Sequence, residues 1–301
     1  MLRPAALPLA SVSAVASFRF ALVLSSVGLI SPALAAPPMD PSPIKPPAVD
    51  NSTLRICASA NQLPYSAKDE SGFENKIALS VAKAMGRKPV FVFADKPAIY
   101  LVRDWLDKNK CDVVAGLDTG DQRVLTTKPY YRAGYVFVTK KDHGLEIESW
   151  NDPKIKTLGH IVVDFGSPSE AMLKEVGKYN ENMAYLYSLV GFRAPRNEYV
   201  QIAPQRMIGE VQSGSADLAA AFAPDVARFV KADPALKMEP IKDDASHNGG
   251  EKLPQEYDQS MGVRLADTQL LAALNDALVK ARPEIDGTLR DEGIPLIVAT
   301  H

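Results

Sequence analysis

The residue best placed to bind a charged ligand in this sequence is Arg123, in the segment GLDTGDQRV that follows a hydrophobic stretch. A guanidinium group makes two parallel hydrogen bonds with a carboxylate or a phosphate. An arginine in a loop at the end of a predicted strand is therefore a candidate anion-binding group. The alternative is that Arg123 pairs with Asp118 or Asp121 and only fixes the loop, in an ion pair worth about 0–1 kcal/mol when exposed.

Four aromatic residues are candidates to line the same site, and they are Tyr65, Tyr130, Tyr131 and Phe222. Aromatic rings with a few polar groups suit a protein segment or a flat cofactor as well as a small metabolite. Packing in the core explains Tyr130 and Tyr131 equally well, because most aromatic side chains are heavily buried. Both interpretations stay open at this point.

A predicted helix in the segment GSPSEAMLKEVGKY begins near two serines, Ser167 and Ser169. Free backbone N–H groups at a helix N-terminus bind anions, so this position is a second candidate site. Helix capping by the two hydroxyl groups explains the same residues equally well.

No catalytic motif is present, since the sequence contains no G-x-S-x-G, no H-E-x-x-H and no Walker loop. Glu74 and Asp118 can be imagined as paired carboxylates, but no spacing supports that role. The four histidines are scattered and show no metal-ligand spacing with the two cysteines. We therefore expect a protein that is not an enzyme and that has no cofactor or metal ion of its own.

The two cysteines are Cys57, in the predicted strand TLRICAS, and Cys111, directly before the predicted strand DVVAGL. If these strands are neighbours in a parallel sheet, the two sulfur atoms can meet. An even number of cysteines in an exported chain favours a disulfide bond. The alternative is a pair of buried free thiols.

Residues 1–35 have the pattern of a signal peptide. Basic residues precede an apolar run at residues 20–30, and Ala33 and Ala35 fit the small-x-small cleavage rule. A membrane anchor is the alternative, but the run is too short to span a bilayer. Residues 36–52 contain six prolines and are predicted to be an extended tether. A signal peptide implies that the mature protein is exported from the cytoplasm.

The charge of the mature chain is mildly negative, with 32 basic and 36 acidic residues after removal of the signal peptide. No basic stripe with interleaved aromatic residues is present, so a nucleic-acid partner is not expected. No later segment has the length of apolar sequence that a membrane span requires.

Predicted strands and helices alternate along the chain in the order β-α-β-α-β, which favours a mostly parallel sheet covered by helices. The pattern then starts again, and two halves of about 100 residues each indicate two lobes with a cleft between them. The predicted strands are TLRICAS, KPVFVFA, CDVVAGL, YRAGYVFVTK, KTLGHIVVDF, ADLAAAFA, LKMEPI and QSMGVRLA, and the predicted helices are GFENKIALSVAKAMG, PAIYLVRDWLDKNK, GSPSEAMLKEVGKY, PQRMIGEVQSGS, PDVARFVKAD and DTQLLAALNDALVKAR.

Three segments resemble the periplasmic solute-binding proteins of the amino-acid-binding type: LRICASANQLPYSAKDESGFENKIALSVAKAMG, CDVVAGLDTGDQRVLTTKPYYRAGYVFVTKK and QSMGVRLADTQLLAALNDALVKA. The resemblance runs over residues 53–293. It implies an α/β, two-lobed solute-binding-protein fold of type II, with mostly parallel sheets, covering helices and two hinge crossings. Lobe 1 is expected at residues 53–140 and 262–301, and lobe 2 at residues 141–261.

In this family an arginine matching Arg123 clamps the carboxylate of the ligand, and an acid in the second lobe binds its ammonium group. That acid lies five residues after the aspartate of a G-x-x-D segment. Counted from Asp217, this position is occupied by Phe222. Asp225 follows a proline and is predicted to lie on the solvated side of its helix. An amino-acid ligand is therefore in doubt.

The segments GFENKIA and KPAIYLVRDWLDKNKCDVVAGLDTGDQRVLTTKPYYRAGYVFVT more narrowly resemble the solute-binding-like proteins that accompany methanol dehydrogenase in methylotrophs. The second choice is the related type that accompanies the lanthanide-dependent enzyme. The resemblance implies a periplasmic, monomeric accessory protein that assists assembly or activation of the methanol dehydrogenase containing pyrroloquinoline quinone. Its expected partner is the large subunit or the apo form of that enzyme.

The alternative function is a periplasmic receptor for a small carboxylate or an amino-acid-like ligand. Under either function the interlobe cleft is the expected binding site, formed by Tyr65, Asp118, Thr119, Arg123, Tyr130, Tyr131, Ser167, Ser169 and Phe222.

Overall fold

A computed structural model of the chain describes residues 51–96, 100–190, 201–242, 244, 246, 247 and 250–297. The predicted signal peptide and all but the last two residues of the predicted tether lie outside the described residues. None of the described helices is long and apolar enough to cross a membrane.

The strands of the described residues are β1 (Thr53–Ser59), β2 (Asn61–Gln62), β3 (Ser66–Ala67), β4 (Lys88–Ala94), β5 (Val113–Asp118), β6 (Leu125–Thr126), β7 (Tyr131–Lys140), β8 (Ile161–Val163), β9 (Leu218–Phe222), β10 (Leu236–Pro240), β11 (Ser246–His247), β12 (Glu251–Lys252) and β13 (Glu256–Val263).

The α-helices of the same part of the chain are α1 (Phe73–Ala84), α2 (Pro168–Glu175), α3 (Tyr179–Ser188), α4 (Pro204–Ser213), α5 (Ala223–Lys231), α6 (Thr268–Lys280) and α7 (Arg282–Glu292). A π-helical turn spans Val102–Leu106, and 3-10 turns span Lys141–His143 and Pro153–Thr157.

Most of the predicted elements are present. The helix predicted from GFENKIALSVAKAMG is α1, and the strands KPVFVFA and YRAGYVFVTK are β4 and β7. The strand predicted from KTLGHIVVDF is shorter than expected, because only β8 is extended there. Helices α3 and α7 were not predicted.

The main sheet has the strand order β4-β1-β5-β13-β7-β9-β8, with β6 pairing with β13 and β10 with β7. Strand β1 lies between β4 and β5 and runs parallel to both, and β8 runs parallel to β9. The long strands β7 and β13 are antiparallel to their neighbours and join the two parallel groups. This is the predicted two-lobed α/β solute-binding-protein fold.

Strand β7 belongs to both halves of the sheet. Its residues 131–134 pair with β13, and its residues 135–138 pair with β9. The partner therefore changes between Gly134 and Tyr135, which indicates where a hinge would lie in this strand. The lobe boundaries inferred from the sequence stay a prediction.

Each half of the sheet has its own hydrophobic core. One core surrounds β8 and β9, where Phe137 packs edge-on against Trp150 with ring centroids 5.1 Å apart. The other surrounds α1, where Phe73 and Ile77 are completely buried and pack with residues of α6 and α7. Helices α4 and α5 cover the first core, because their apolar residues lie on one face.

Cys57 and Cys111 form a disulfide bond, as predicted. Strand β1 pairs in parallel with β5, with Cys57 opposite Val114, so the residue before β5 lies beside β1. Both cysteines are buried, in a small cluster with Leu101 and Leu106. The bond therefore ties the middle of β1 to the segment just before β5.

Helix α5 is also bound to α7 by a set of polar contacts, which we call the α5–α7 contact. The Arg228 guanidinium donates to both carboxylate oxygens of Glu292, at 2.6 and 2.8 Å, and to the carbonyl oxygen of Ser71 at 3.1 Å. The Lys231 ammonium donates to the carbonyl oxygen of Asp291 at 2.7 Å. Glu292 is only 5% exposed. These contacts join α5, which belongs to predicted lobe 2, to α7, which belongs to predicted lobe 1.

Candidate ligand- and partner-binding cleft

A cavity of about 350 Å³ lies where the first turns of α1 and α5 face the carboxyl ends of β1 and β5. The predicted site residues Tyr65, Asp118, Arg123 and Phe222 line it. In open α/β sheets, ligands bind at the carboxyl ends of the strands, so the cavity is the candidate site.

Glu74, in the first turn of α1, is the most buried charged residue at the cavity, with 5% of its surface exposed. The Tyr130 hydroxyl donates to Glu74 Oε2 at 2.6 Å, and the Tyr131 hydroxyl donates to Oε1 at 3.3 Å. Burial raises the pKa of Glu74 to about 7, although both hydrogen bonds oppose this shift. The two tyrosines thus hold a carboxyl group in place at the cavity wall.

Gly116 completes this arrangement, because its N–H donates to the Tyr130 hydroxyl at 2.9 Å. Its φ is +69°, a conformation that residues with a side chain rarely adopt. A Cβ at this position would lie 3.4 Å from Glu74 Oε1. That distance is ordinary van der Waals contact, so the positive φ rather than the space beside Glu74 favours glycine at this position.

The loop between β1 and α1 is fixed by Asn75. Its Oδ1 accepts from the N–H of Ala67 at 3.0 Å, and its Nδ2 donates to Ser66 Oγ at 3.0 Å. Ser66 Oγ in turn donates to the carbonyl oxygen of Ser59 at 2.7 Å. These bonds hold the loop that carries Tyr65, whose ring lies 5.0 Å from that of Phe73.

Arg123 is bound to Asp121. Its Nη2 donates to Asp121 Oδ2 at 2.6 Å and its Nε to Oδ1 at 3.0 Å, while its backbone N–H donates to Oδ1 at 2.9 Å. The hydrogen bonds from Arg123 lower the pKa of Asp121. Arg123 is 46% exposed. Of the two partners considered from the sequence, Asp121 is the one observed, and Asp118 instead accepts from Gln259 Nε2 at 2.6 Å.

The opposite wall contains Phe222 and Asp225. The Phe222 ring lies 5.5 Å from Tyr135 and 6.2 Å from Tyr257, in an aromatic group next to the hinge region of β7. Burial raises the pKa of Asp225 to about 7, while interaction with the Tyr65 hydroxyl opposes the shift. The prediction that Asp225 lies on the solvated side of its helix was wrong, because the first turn of α5 faces the cavity.

A smaller cavity of about 40 Å³ adjoins this wall and shares Phe222 and Asp225 with it. It is also lined by Asp164 and Ser167. Asp164 Oδ1 accepts from the N–H groups of Phe165 and Ile202, both at 3.1 Å. Burial raises the pKa of Asp164 to about 6. The second half of the chain thus brings two carboxyl groups to the cleft.

The structure places the other predicted cleft residues away from the main cavity. Tyr130 and Tyr131 are core residues, 1% and 3% exposed, and reach the site only through their bonds to Glu74. Thr119 Oγ1 lies 2.6 Å from Ser260 Oγ. Core packing, left open for the two tyrosines, is what the structure shows.

Of the two serines, only Ser167 follows the capping interpretation, because Ser169 Oγ is buried with no hydrogen-bond partner among the described residues. Ser167 caps α2, with its Oγ accepting from the N–H of Glu170 at 3.2 Å. Ser169 is completely buried. Neither arrangement leaves a hydroxyl group directed at the main cavity.

Glu74 and Asp225 are two acidic cavity residues that were not among the predicted site residues. Both are acidic residues in the first turn of a helix, Glu74 in α1 and Asp225 in α5. Acids are common in first turns because they interact favourably with the helix dipole, so this signal is weak.

The fold and the position of this cleft define a class of binding protein. The model of the bacterial extracellular solute-binding proteins, family 3, matches residues 54–290, and the chain belongs to this family. Within it, the chain is 56% identical to protein MoxJ of Methylorubrum extorquens over 253 residues, which cover 84% of each chain. The catalytic motifs sought in the sequence, G-x-S-x-G, H-E-x-x-H and a Walker loop, do not occur in it.

Solved structures agree with this placement. The crystal structure of MxaJ from Methlophaga aminisulfidivorans MPT matches with a TM-score of 0.78 and 46% identity, covering 81% of this chain and all of that chain. That of the periplasmic binding protein XoxJ from Methylobacterium extorquens AM1 matches with a TM-score of 0.60 and 24% identity, covering 82% and 100%, and supports the fold alone. The resemblance to the MoxJ and MxaJ type is thereby confirmed.

Proposed function

We propose that the protein is a periplasmic accessory protein of methanol oxidation. It binds a methanol dehydrogenase that contains pyrroloquinoline quinone, through the interlobe cleft, and assists the assembly or activation of that enzyme. The identity with MoxJ and the likeness to MxaJ support the association with methanol oxidation. The resemblance of the loop around Arg123 to that of the same proteins supports it as well.

The observation that carries the proposal is the state of Arg123. A receptor for free amino acids uses such an arginine to clamp the carboxylate of its ligand, and here Asp121 accepts from the Nε and Nη2 edge of the guanidinium group. The cavity wall also carries the aromatic rings of Tyr65, Phe91 and Phe222, beside aliphatic, amide and acidic side chains. Aromatic side chains in a cleft are the residues that most often anchor a protein partner.

The test is a binding measurement between the mature protein and methanol dehydrogenase, in its apo form and in its cofactor-loaded form. Substitution of Tyr65→Ala or Phe222→Ala should weaken the complex by about 1–3 kcal/mol, the cost of removing an interface anchor. Val279→Ala is the control, because Val279 is 75% exposed on α6, a helix that contributes no residue to the described lining of the cavity.

Thermal unfolding of each variant separates lost docking from lost stability. If both cavity variants fold like the parent and bind both forms of the enzyme with the affinity of the parent, the cleft is not the docking surface.

A receptor for a small solute is the second candidate function. The volume of the cavity, about 350 Å³, lies within the range of small-molecule sites. Calorimetric titration with small carboxylates and amines tests it, since a receptor should show saturable binding at micromolar concentration.

A further inference from the structure

The described residues of the cavity wall include more acidic than basic side chains. Of the described lining residues, four are acidic, namely Glu74, Asp118, Asp121 and Asp225, and Arg123 is the only basic one. Because Arg123 is bound to Asp121, the other three carboxyl groups have no cationic partner among the described residues.

These three carboxyl groups nevertheless accept hydrogen bonds from fixed neighbours. Glu74 accepts from two tyrosine hydroxyl groups, and Asp118 accepts from Gln259 at 2.6 Å. Asp225 interacts with the hydroxyl of Tyr65. The carboxyl oxygens are therefore held in defined positions at the edge of an open space, in two walls that face each other.

Burying a carboxylate without a cation is unfavourable, because the charge loses its hydration and gains no counter-charge. This cost is reduced in part because Glu74 and Asp225 retain protons, since burial raises the pKa of each to about 7. A cation that enters the cavity restores a counter-charge to both walls at once. The rings of Tyr65 and Phe222 at the cavity add surfaces that attract cations.

We infer that the cavity receives a positively charged side chain, lysine or arginine, from a segment of a partner protein. The inference rests on the proposed docking function and names the group that the cleft recognises. A side chain fits better than a free amino acid, because the free α-carboxylate would lie against Asp118 and Asp121. An organic cation fits better than a metal ion, because the described residues contain no cluster that could hold one.

The direct test needs no partner protein. Isothermal titration of the mature protein would compare Nα-acetyl-L-lysine N-methylamide with its uncharged analogue Nα-acetyl-L-norleucine N-methylamide and with free L-lysine. The capped lysine should bind at least about tenfold more tightly than either of the other two, since only it has the charge without the α-carboxylate. Absence of measurable binding by the capped lysine overturns the inference, and so does equal binding of the norleucine analogue.

If free L-lysine binds as tightly as the capped form, the cavity is a receptor for a small metabolite, and the inferred protein side chain is wrong. Glu74→Gln and Asp225→Asn should each weaken binding of the capped lysine by about tenfold, because each removes one carboxylate from the cavity. Glu284→Gln and Asp276→Asn are matched controls at exposed positions on α7 and α6 and should leave the affinity unchanged. An equal effect of the control pair would also contradict the inference.

The same variants distinguish this inference from the docking proposal. If Glu74→Gln and Asp225→Asn bind methanol dehydrogenase like the parent, docking stands and the cationic anchor is wrong. If the capped lysine binds as expected and the parent does not bind the dehydrogenase, the cation site stands and the partner is a different protein.

Discussion

Glu74 shows how a single buried carboxyl group makes stability depend on pH. In the folded chain its neighbours with titratable groups are Tyr65, Tyr130 and Tyr131, and none of them carries a positive charge. Burial therefore raises the pKa of Glu74 from 4.5 to about 7. Between these two values the folded chain retains a proton that the unfolded chain has lost.

The free energy of unfolding should therefore fall as the pH rises through this interval, by roughly 2–3 kcal/mol from Glu74, at about 1.4 kcal/mol for each pKa unit. Glu74→Gln does not titrate and should lose less stability over the same interval. Urea denaturation of parent and variant at about pH 5 and pH 8 measures the difference. Identical losses in the two proteins would show that Glu74 is ionised in the fold.

Arg123 illustrates an ion pair that changes specificity more than stability. Because Asp121 occupies its fork, no common amino acid should bind the parent with a dissociation constant below about 10 μM. Asp121→Asn removes the competing carboxylate and should strengthen binding of α-carboxylates. A calorimetric screen of both proteins checks this, and a tighter constant for any amino acid with the parent contradicts it.

At the scale of the elements, the disulfide bond is a cross-link inside one half of the sheet. It closes a loop between residues 54 positions apart, from Cys57 to Cys111. Replacing both cysteines by alanine should lower the free energy of unfolding by roughly 2–5 kcal/mol, chiefly because the unfolded chain gains freedom. Denaturant curves of the double variant and of the reduced parent should agree. An unchanged midpoint in both would mean that the bond adds no stability.

The elements also show what the sequence can and cannot predict. Helix α1 was predicted well because its apolar residues repeat every four positions and Gly86 ends it. Helix α7 was not, because few of its residues are apolar and Gly287 lies within it. Strand β8 was predicted too long because the apolar pattern extends beyond its three paired residues.

The candidate site was predictable only in part, for a related reason. Arg123 and Phe222 were expected at the cleft because they match the ligand-binding positions of the family that the sequence resembles, and Tyr65 was expected as an aromatic candidate for its lining. Asp225 was misplaced because the direction of a side chain in the first turn of α5 depends on how the helix packs, which its periodicity does not specify. The pairing of Arg123 with Asp121 was one of two alternatives that the spacing allowed.

At the scale of the whole molecule, the α5–α7 contact links the two predicted lobes through Arg228 and Glu292. Arg228→Ala leaves the buried Glu292 without its main partner and should favour an open arrangement of the lobes, with a loss of about 1–3 kcal/mol in stability. Small-angle X-ray scattering should show a larger radius of gyration for this variant. Arg206→Ala is the control, because Arg206 pairs with Glu210 within one helix. Equal radii for both variants and the parent contradict the role of the contact.

The passage of β7 through both halves of the sheet has a consequence for heat-induced unfolding. Residues 131–134 of β7 are hydrogen-bonded to β13 in one half of the sheet, and residues 135–138 are hydrogen-bonded to β9 in the other half. If either half unfolds, β7 loses part of its hydrogen bonding, and the half that stays folded is left with an incomplete strand at its edge. Differential scanning calorimetry should therefore record one endothermic peak, with a calorimetric to van't Hoff enthalpy ratio of about one. Each half, expressed alone, would expose the unpaired edge of β7 and should aggregate.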